Sequence, residues 1–261
     1  MLSLNQLEFK LTKVNHGSPT PTAHDELLGA SSTSSKLHKA ATSSPLVSGP
    51  VSAYPASPLA HTTTSTHKCS FSLFNGSCLL LHGNFAADLE YFLATLAGLS
   101  PSQNQGIYYN EIPIATDLGI YHSQICYIHP LEYFENSFTL WQMLSFWGKI
   151  YNSEHNIEIA LDSFELLPYR HHKMAQLSAH LRKRAQLCQV VLSHAPLWLL
   201  HEPFAGLDNA GSAILTRLIQ ARCDQKGLVI ASLSAEYSGQ IQPPSWSGMW
   251  ELELGDLGNS L

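Results

Sequence analysis

The stretch Ala195-Pro196-Leu197-Trp198-Leu199-Leu200-His201-Glu202-Pro203-Phe204-Ala205-Gly206-Leu207-Asp208 decides the fold class. Leu197 to Leu200 is an unbroken apolar run, and Leu228 to Ala231 is another. Such runs suit parallel strands buried on both faces. Upstream, Ser178 is an N-cap candidate for a helix whose stripe is Leu181, Ala185, Cys188 and Leu192. Strand and helix alternate in this way along the ordered part of the chain. That order demands right-handed crossovers and a mostly parallel sheet, so the fold class is α/β.

Further upstream, Thr139 to Tyr151 places Leu140, Leu144, Trp147 and Tyr151 on one helical face. Ile107 to Tyr109 and Ile125 to Ile128 read as short strands. Asp88 opens a helix with Leu89, Phe92, Leu93 and Leu96 at helical spacing, which Gly98 ends ahead of Pro101. Phe71 to Phe74, the turn Asn75-Gly76 and Cys78 to Leu81 read as a hairpin that ends in a buried strand. Met1 to Leu11 alternates as a strand does. Trp250, Leu252 and Leu254, alternating with Glu251 and Glu253, predict a last, half-exposed strand.

From Gly17 to His67 the chain is rich in Ser, Thr, Pro, Ala and Gly, and shows no period. It cannot bury enough apolar surface to offset its ordering entropy. The expected organisation is one domain made of residues 1–16 and 68–261, with 17–67 as a disordered low-complexity insertion. The chain has 261 residues, enough for one sizeable core. Its net charge of -6 offers no basic field for nucleic acid. No apolar run reaches the ~20 residues a membrane helix needs, and the opening residues do not read as a signal peptide. The five cysteines lie far apart without ligand spacing, which argues against a disulfide frame or a zinc site.

Several blocks in the right order resemble the nucleotide-binding subunits of ABC transporters, most of all the heme-exporter ATP-binding subunits of cytochrome c maturation. Ala195 to Asp208 resembles that family's Walker B and D-loop block "APLWLLDEPFxxLD". Gln176-Leu177-Ser178-Ala179-His180-Leu181-Arg182-Lys183-Arg184 resembles the signature "QLSAGQxxR". Leu79 to Leu99 aligns without a gap on "LLLxGxNGxGKTxLLRxLAGL", and Thr139 to Trp147 resembles "LTxxENLxFW". The likeness runs from Cys69 to about Ser234 and includes the opening strand. It implies a P-loop NTPase-like ABC ATPase fold: a mostly parallel sheet with an antiparallel β edge and a helical arm. It also implies ATP and Mg²⁺ as cofactors and membrane subunits of a heme exporter as partners. A homodimer or a paired nucleotide-binding subunit, at the cytoplasmic face of an inner membrane, completes the expectation.

The departures fall where the family's chemistry lies. A phosphate loop needs glycines that free backbone N–H groups, a Lys for the β/γ oxygens and a hydroxyl for Mg²⁺. The aligned residues are Gly83, Asn84, Phe85, Ala86, Ala87, Asp88, Leu89 and Glu90. Asp88 takes a glycine's place, Leu89 the lysine's and Glu90 the hydroxyl's. A carboxylate ~4 Å from a phosphate oxygen is repelled by roughly 4 kcal/mol at a dielectric of ~20. Asp88 and Glu90 are expected to supply the helix N-terminus with negative charge from within the chain. By position, His201 replaces the Walker B aspartate and His180 the signature glycine beside Leu177, Ser178 and Ala179. Leu233 and Ser234 stand where a switch histidine is expected. Glu202, at the position of the base that polarises water, and Asp208 of the D-loop are retained.

The 14 histidines show no H-x-x-x-H pattern, so neither metal nor heme ligation is expected of them. Arg182-Lys183-Arg184 reads as a solvated helix face. Tyr133, Phe134, Phe138 and Trp141 are either an apolar patch for membrane partners or part of the core. Three functions stay open: an active heme-export ATPase, a degenerate nucleotide-binding domain kept as a structural partner, and a free-standing scaffold.

Overall fold

In the computed structural model, residues 6–14, 65–83, 86–100, 106–129, 135–234 and 249–253 are described. The chain divides into two units, Met1–Lys13 with His67–Leu261, and Val14–Thr66. The expected insertion lies outside the described residues except at its end. There Ser65 to His67 form the start of a strand and correct the expected boundary. Tyr133 and Phe134 also lie outside the described residues.

The centre is a five-stranded sheet in the order β6-β7-β8-β3-β9, built from β3 (Cys78–Gly83), β6 (Ile125–Ile128), β7 (Leu197–Leu200), β8 (Leu228–Ser234) and β9 (Met249–Glu253). Each neighbouring pair is parallel. All seven residues of β8 and all four of β7 are buried, as continuous apolar runs on a two-sided parallel sheet should be. The three strands expected in one sheet, β3, β7 and β8, are adjacent. β9 closes one edge, with Trp250 61% exposed.

A second sheet has the order β2-β1-β4-β5, from β1 (Gln6–Val14), β2 (Ser65–Phe74), β4 (Ile107–Tyr109) and β5 (Ile112–Pro113). β4 pairs antiparallel with both β1 and β5. This corrects the expected hairpin, because β2 and β3 belong to different sheets. Both edges of β3 are hydrogen-bonded, to β8 and β9, so β2 has no edge of β3 to join. The Asn75-Gly76 turn instead carries the chain from one sheet to the other. Gly76 has φ +83, and a Cβ there would lie 3.0 Å from the Cys223 carbonyl oxygen, so glycine is needed.

Helix α1 (Ala86–Leu96) starts two residues before Asp88, since Ala86 and Ala87 favour helix. Leu89, Leu93 and Leu96 are fully buried, and each contributes roughly 1.5–3 kcal/mol of burial. Gly98, at φ +75, terminates it. After α2 (Leu118–Ser123), the arm comprises α3 (Leu140–Ile150), α4 (Ile157–Ser163) and α5 (Ala179–Ser193), packed on one another around Phe164, Leu166 and Met174. Thr139 caps α3 in a reciprocal pair with Gln142. Ser178 occupies the N-cap position of α5, but its hydroxyl meets His180 Nε2 at 3.1 Å and caps no backbone N–H. Helix α6 (Asn209–Asp224) leads into β8.

Candidate functional site

Gly83, Leu89, Glu90, His201 and Glu202 lie where β3 and β7 end and α1 begins. Leu177 to His180 and Asp208 stand instead at the starts of α5 and α6. Gly83 closes β3, and a Cβ built on it would meet Leu89 Cγ at 3.2 Å and Cδ2 at 3.3 Å. The fully buried Leu89 side chain is therefore folded back against the strand end. Where a lysine would reach outward to phosphate oxygens, this chain has an apolar contact inside the core. Asn84 and Phe85 lie outside the described residues, and Ala86 and Ala87 are exposed in the first turn with Asp88 beyond them.

Glu90 departs from expectation. Its Oε1 lies 2.9 Å from His129 Nε2, so this carboxylate leaves its own helix end for the residue after β6. His129 is held in turn by Gln186 of α5, whose Nε2 donates to its carbonyl at 2.7 Å. The His129 ring lies 6.3 Å from that of His201. His201 is 2% exposed; its Nε2 is 3.3 Å from the Ala86 carbonyl, and its Nδ1 has no hydrogen-bond partner. Burial is the main reason its pKa falls to about 4; the Glu90 charge opposes the shift, and His129 and Lys183 add to it. At neutral pH the Walker B position therefore carries an uncharged imidazole.

Glu202 has φ +46, a left-handed backbone that a non-glycine residue keeps only when its surroundings hold it. They do so twice: its N–H donates to Ser232 Oγ at 3.0 Å, and its Oε1 accepts from the Ser234 N–H at 2.7 Å. The carboxylate at the general-base position thus ties the end of β7 to the end of β8.

Asp208 accepts two bonds from Arg184 Nη2, at 2.7 and 2.8 Å, and caps α6 by accepting from the Gly211 N–H at 2.8 Å. Arg184, chiefly, holds its carboxyl below the usual carboxylate range. Here the sequence reading needs a second correction. Lys183 and Arg184 are 4% and 5% exposed, not a solvated face, and Arg182 donates to the Leu177 carbonyl at 3.2 Å. Helix α5 is enclosed on more than one side, and no charged residue follows Arg184 in it, which is the signal that was available. The signature residues stand at the start of α5, with Leu177 buried and Ser178, Ala179 and His180 exposed. Phe138 is 42% exposed, whereas Trp141 packs against the core.

No family model matches the chain. It is 30% identical over 171 residues, 64% of this chain and 80% of the relative, to the cytochrome c biogenesis ATP-binding export protein CcmA of Haemophilus influenzae. The CcmA of Wolbachia pipientis is likewise 30% identical, over 62% of this chain and 78% of that protein. That of Reclinomonas americana is 26% identical, over 62% and 75%. Among solved structures, a Pyrococcus furiosus chain described as a putative ABC transporter ATP-binding protein superposes with TM-score 0.61 at 19% identity, covering 76% of this chain and 94% of that one. An ATP-binding subunit of an ABC transporter gives 0.54 at 21% identity, covering 62% and 70%.

Proposed function

We propose, from the premise that this chain belongs to the family of ABC transporter ATP-binding subunits that includes CcmA, that it serves as a subunit of a heme-exporting assembly without hydrolysing ATP itself. One observation carries this reading. Leu89, at the lysine position, is buried against Gly83, while Glu90, at the hydroxyl position, is turned to His129. The residues present do not fit ATP with Mg²⁺: a cation-binding hydroxyl is replaced by an engaged carboxylate, and a phosphate-binding ammonium by a leucine. Each lost charge-assisted bond is worth about 1.5–3 kcal/mol. A neutral imidazole at His201 is a poor partner for a hard cation that prefers oxygen. Phosphoryl transfer depends on positioning and charge neutralisation, and this loop offers neither.

The retained Glu202 is the observation that favours an active ATPase. Its carboxylate, however, already accepts from the Ser234 backbone, which gives the residue a reason to persist without catalysis. In this reading the chain contributes its scaffold, its exposed Phe138 and the neighbouring arm to membrane subunits, at the cytoplasmic face of the membrane, as a homodimer or beside a second nucleotide-binding subunit. Among the described residues no helix is long and apolar enough to cross a membrane.

The test is a titration with a non-hydrolysable ATP analogue and Mg²⁺, together with a turnover assay. Affinity weaker than ~1 mM is expected, with no hydrolysis above background. The triple change Asp88→Gly, Leu89→Lys, Glu90→Thr should restore measurable binding, while turnover still needs His201→Asp and a switch histidine. Micromolar affinity in the unmodified chain would overturn the reading and put the active ATPase in its place.

A further inference from the structure

We propose that Cys78 and Cys223 form a thiol-oxidation site, which a peroxide closes into a reversible disulfide between β3 and α6. The sequence reading expected no disulfide frame, because the five cysteines lie far apart along the chain. The fold brings these two together. Cys78 is the first residue of β3, and Cys223 lies in the last turn of α6. Both are free thiols of one core, 0% and 5% exposed. The Cys78 S–H donates a hydrogen bond to the Cys223 sulfur, so the two sulfurs already touch. The surrounding backbone is tied at the same place. The Gly76 N–H donates to the Gly227 carbonyl at 3.0 Å, and the Val229 N–H donates to the Ser77 carbonyl at 3.1 Å. A Cβ on Gly76 would lie 3.0 Å from the Cys223 carbonyl oxygen. The pair stands at the opposite end of β3 from Gly83 and the loop region.

The two thiols are chemically unequal. The hydrogen bond from Cys78, chiefly, draws the Cys223 thiol below its ordinary range; burial and Asp224 oppose this, and Arg222 adds to it. The same bond, together with burial, pushes the Cys78 thiol up. Cys126 and Cys188 have no such partner cysteine, and burial raises both, Cys126 to about 11. The thiolate is the nucleophile, so Cys223 reacts first. Its sulfur attacks the peroxide, the O–O bond breaks, and one oxygen stays as a sulfenic acid while the other leaves as water. The Cys78 sulfur then attacks the Cys223 sulfur, the S–S bond forms, and the second oxygen leaves as water with the Cys78 proton. Two thiols and one peroxide thus give one disulfide and two waters, and two electrons pass from the sulfurs to the peroxide. A dithiol reverses the link by exchange through a mixed disulfide. While it lasts, the link fastens β3, the strand held between β8 and β9, to the end of α6.

The site does not depend on whether the chain binds or hydrolyses ATP, and its test is run without nucleotide. The full chain is treated with hydrogen peroxide, the remaining thiols are blocked with N-ethylmaleimide, and the intact mass is measured after denaturation. Alkylation of three thiols in place of the five in the sequence is expected. Chymotryptic fragments carrying Cys78 and Cys223 should be joined, and dithiothreitol should release them. Cys78→Ala and Cys223→Ala should each abolish the joined fragment, whereas Cys69→Ala should leave it. Should a variant fail to fold by circular dichroism, the fragment map of the unmodified chain decides. Five alkylated thiols after oxidation, links confined to other cysteines, or sulfinic acid at Cys223 with Cys78 still free would overturn the proposal.

Discussion

The loop end of the sheet and the Asp208 corner of α6 have fared differently. At the loop end, Leu89, Glu90 and His201 replace the residues that the family pattern carries there. Their contacts include a half-exposed ion pair and an imidazole with an unpartnered nitrogen. At the Asp208 corner the family residue is kept, and its carboxylate is engaged by Arg184 and by a helix N-terminus. Glu202 sorts with the second group, since its carboxylate is bonded to the Ser234 backbone. The two retained carboxylates, Asp208 and Glu202, both have partners within the chain.

The largest effect expected from this contrast is at Asp208. Asp208→Ala strands the buried Arg184 guanidinium, leaving it Glu165 at 3.4 Å and the Phe164 carbonyl, and removes a helix cap. A loss of about 3 kcal/mol in urea unfolding is expected. A change within experimental error would show that the corner is no better fixed than the loop end. The wild-type contribution should also fall away in acid. The folded carboxyl titrates below its unfolded value, so the stability is present above pH ~4 and is lost as pH falls through the lowered pKa.

His201 should give the next largest signal. Its folded pKa, about 4, lies below the usual 6.5, so the fold favours the neutral ring. Its contribution is complete above pH 6.5 and declines between there and pH 4, by an amount on the order of 2–3 kcal/mol. His201→Gln should flatten that part of the stability profile. An unchanged profile would mean that the ring titrates alike in the folded and unfolded chain.

Glu202→Ala removes the acceptor of the Ser234 N–H in a buried setting and should cost about 1–3 kcal/mol. Glu202→Gln keeps an acceptor there and should recover most of that loss. If both variants unfold like wild type, the carboxylate is no staple, and its retention then favours catalysis. The smallest effect is expected from deleting residues 17–64, which stops short of β2 and should leave the melting temperature within a few degrees. A large drop would make that segment part of the folded core.

The sheet was legible where composition alone determines burial: Leu197–Leu200 and Leu228–Ala231 could be little but two-sided parallel strands. Helix α1 was legible by period, with its stop at Gly98. The hairpin was misread because a turn signal fixes a change of direction but not which sheet each strand joins; that depended on β8 and β9, far along the chain, occupying both edges of β3. Arg184 was misread because a charge in sequence looks solvated until its partners, Asp208 and Glu165, are known to close on it. The Glu90–His129 pair had no spacing to show, because one partner lies in α1 and the other, 39 residues on, follows β6.

The order β6-β7-β8-β3-β9 has a consequence for how the chain reaches its fold. Cys78 of β3 pairs with Val229 on one side and Met249 on the other, so the inner strand gains its neighbours only from residues far along the chain. Local contacts within the arm can form early, whereas these distant pairings carry a large loop-closure cost. Until β8 and β9 emerge, the Cys78–Leu81 run waits with apolar groups on both faces and two open backbone edges. On that account the pairing of β3 is expected to be a late step of folding, and the unpaired strand is a place where aggregation can start.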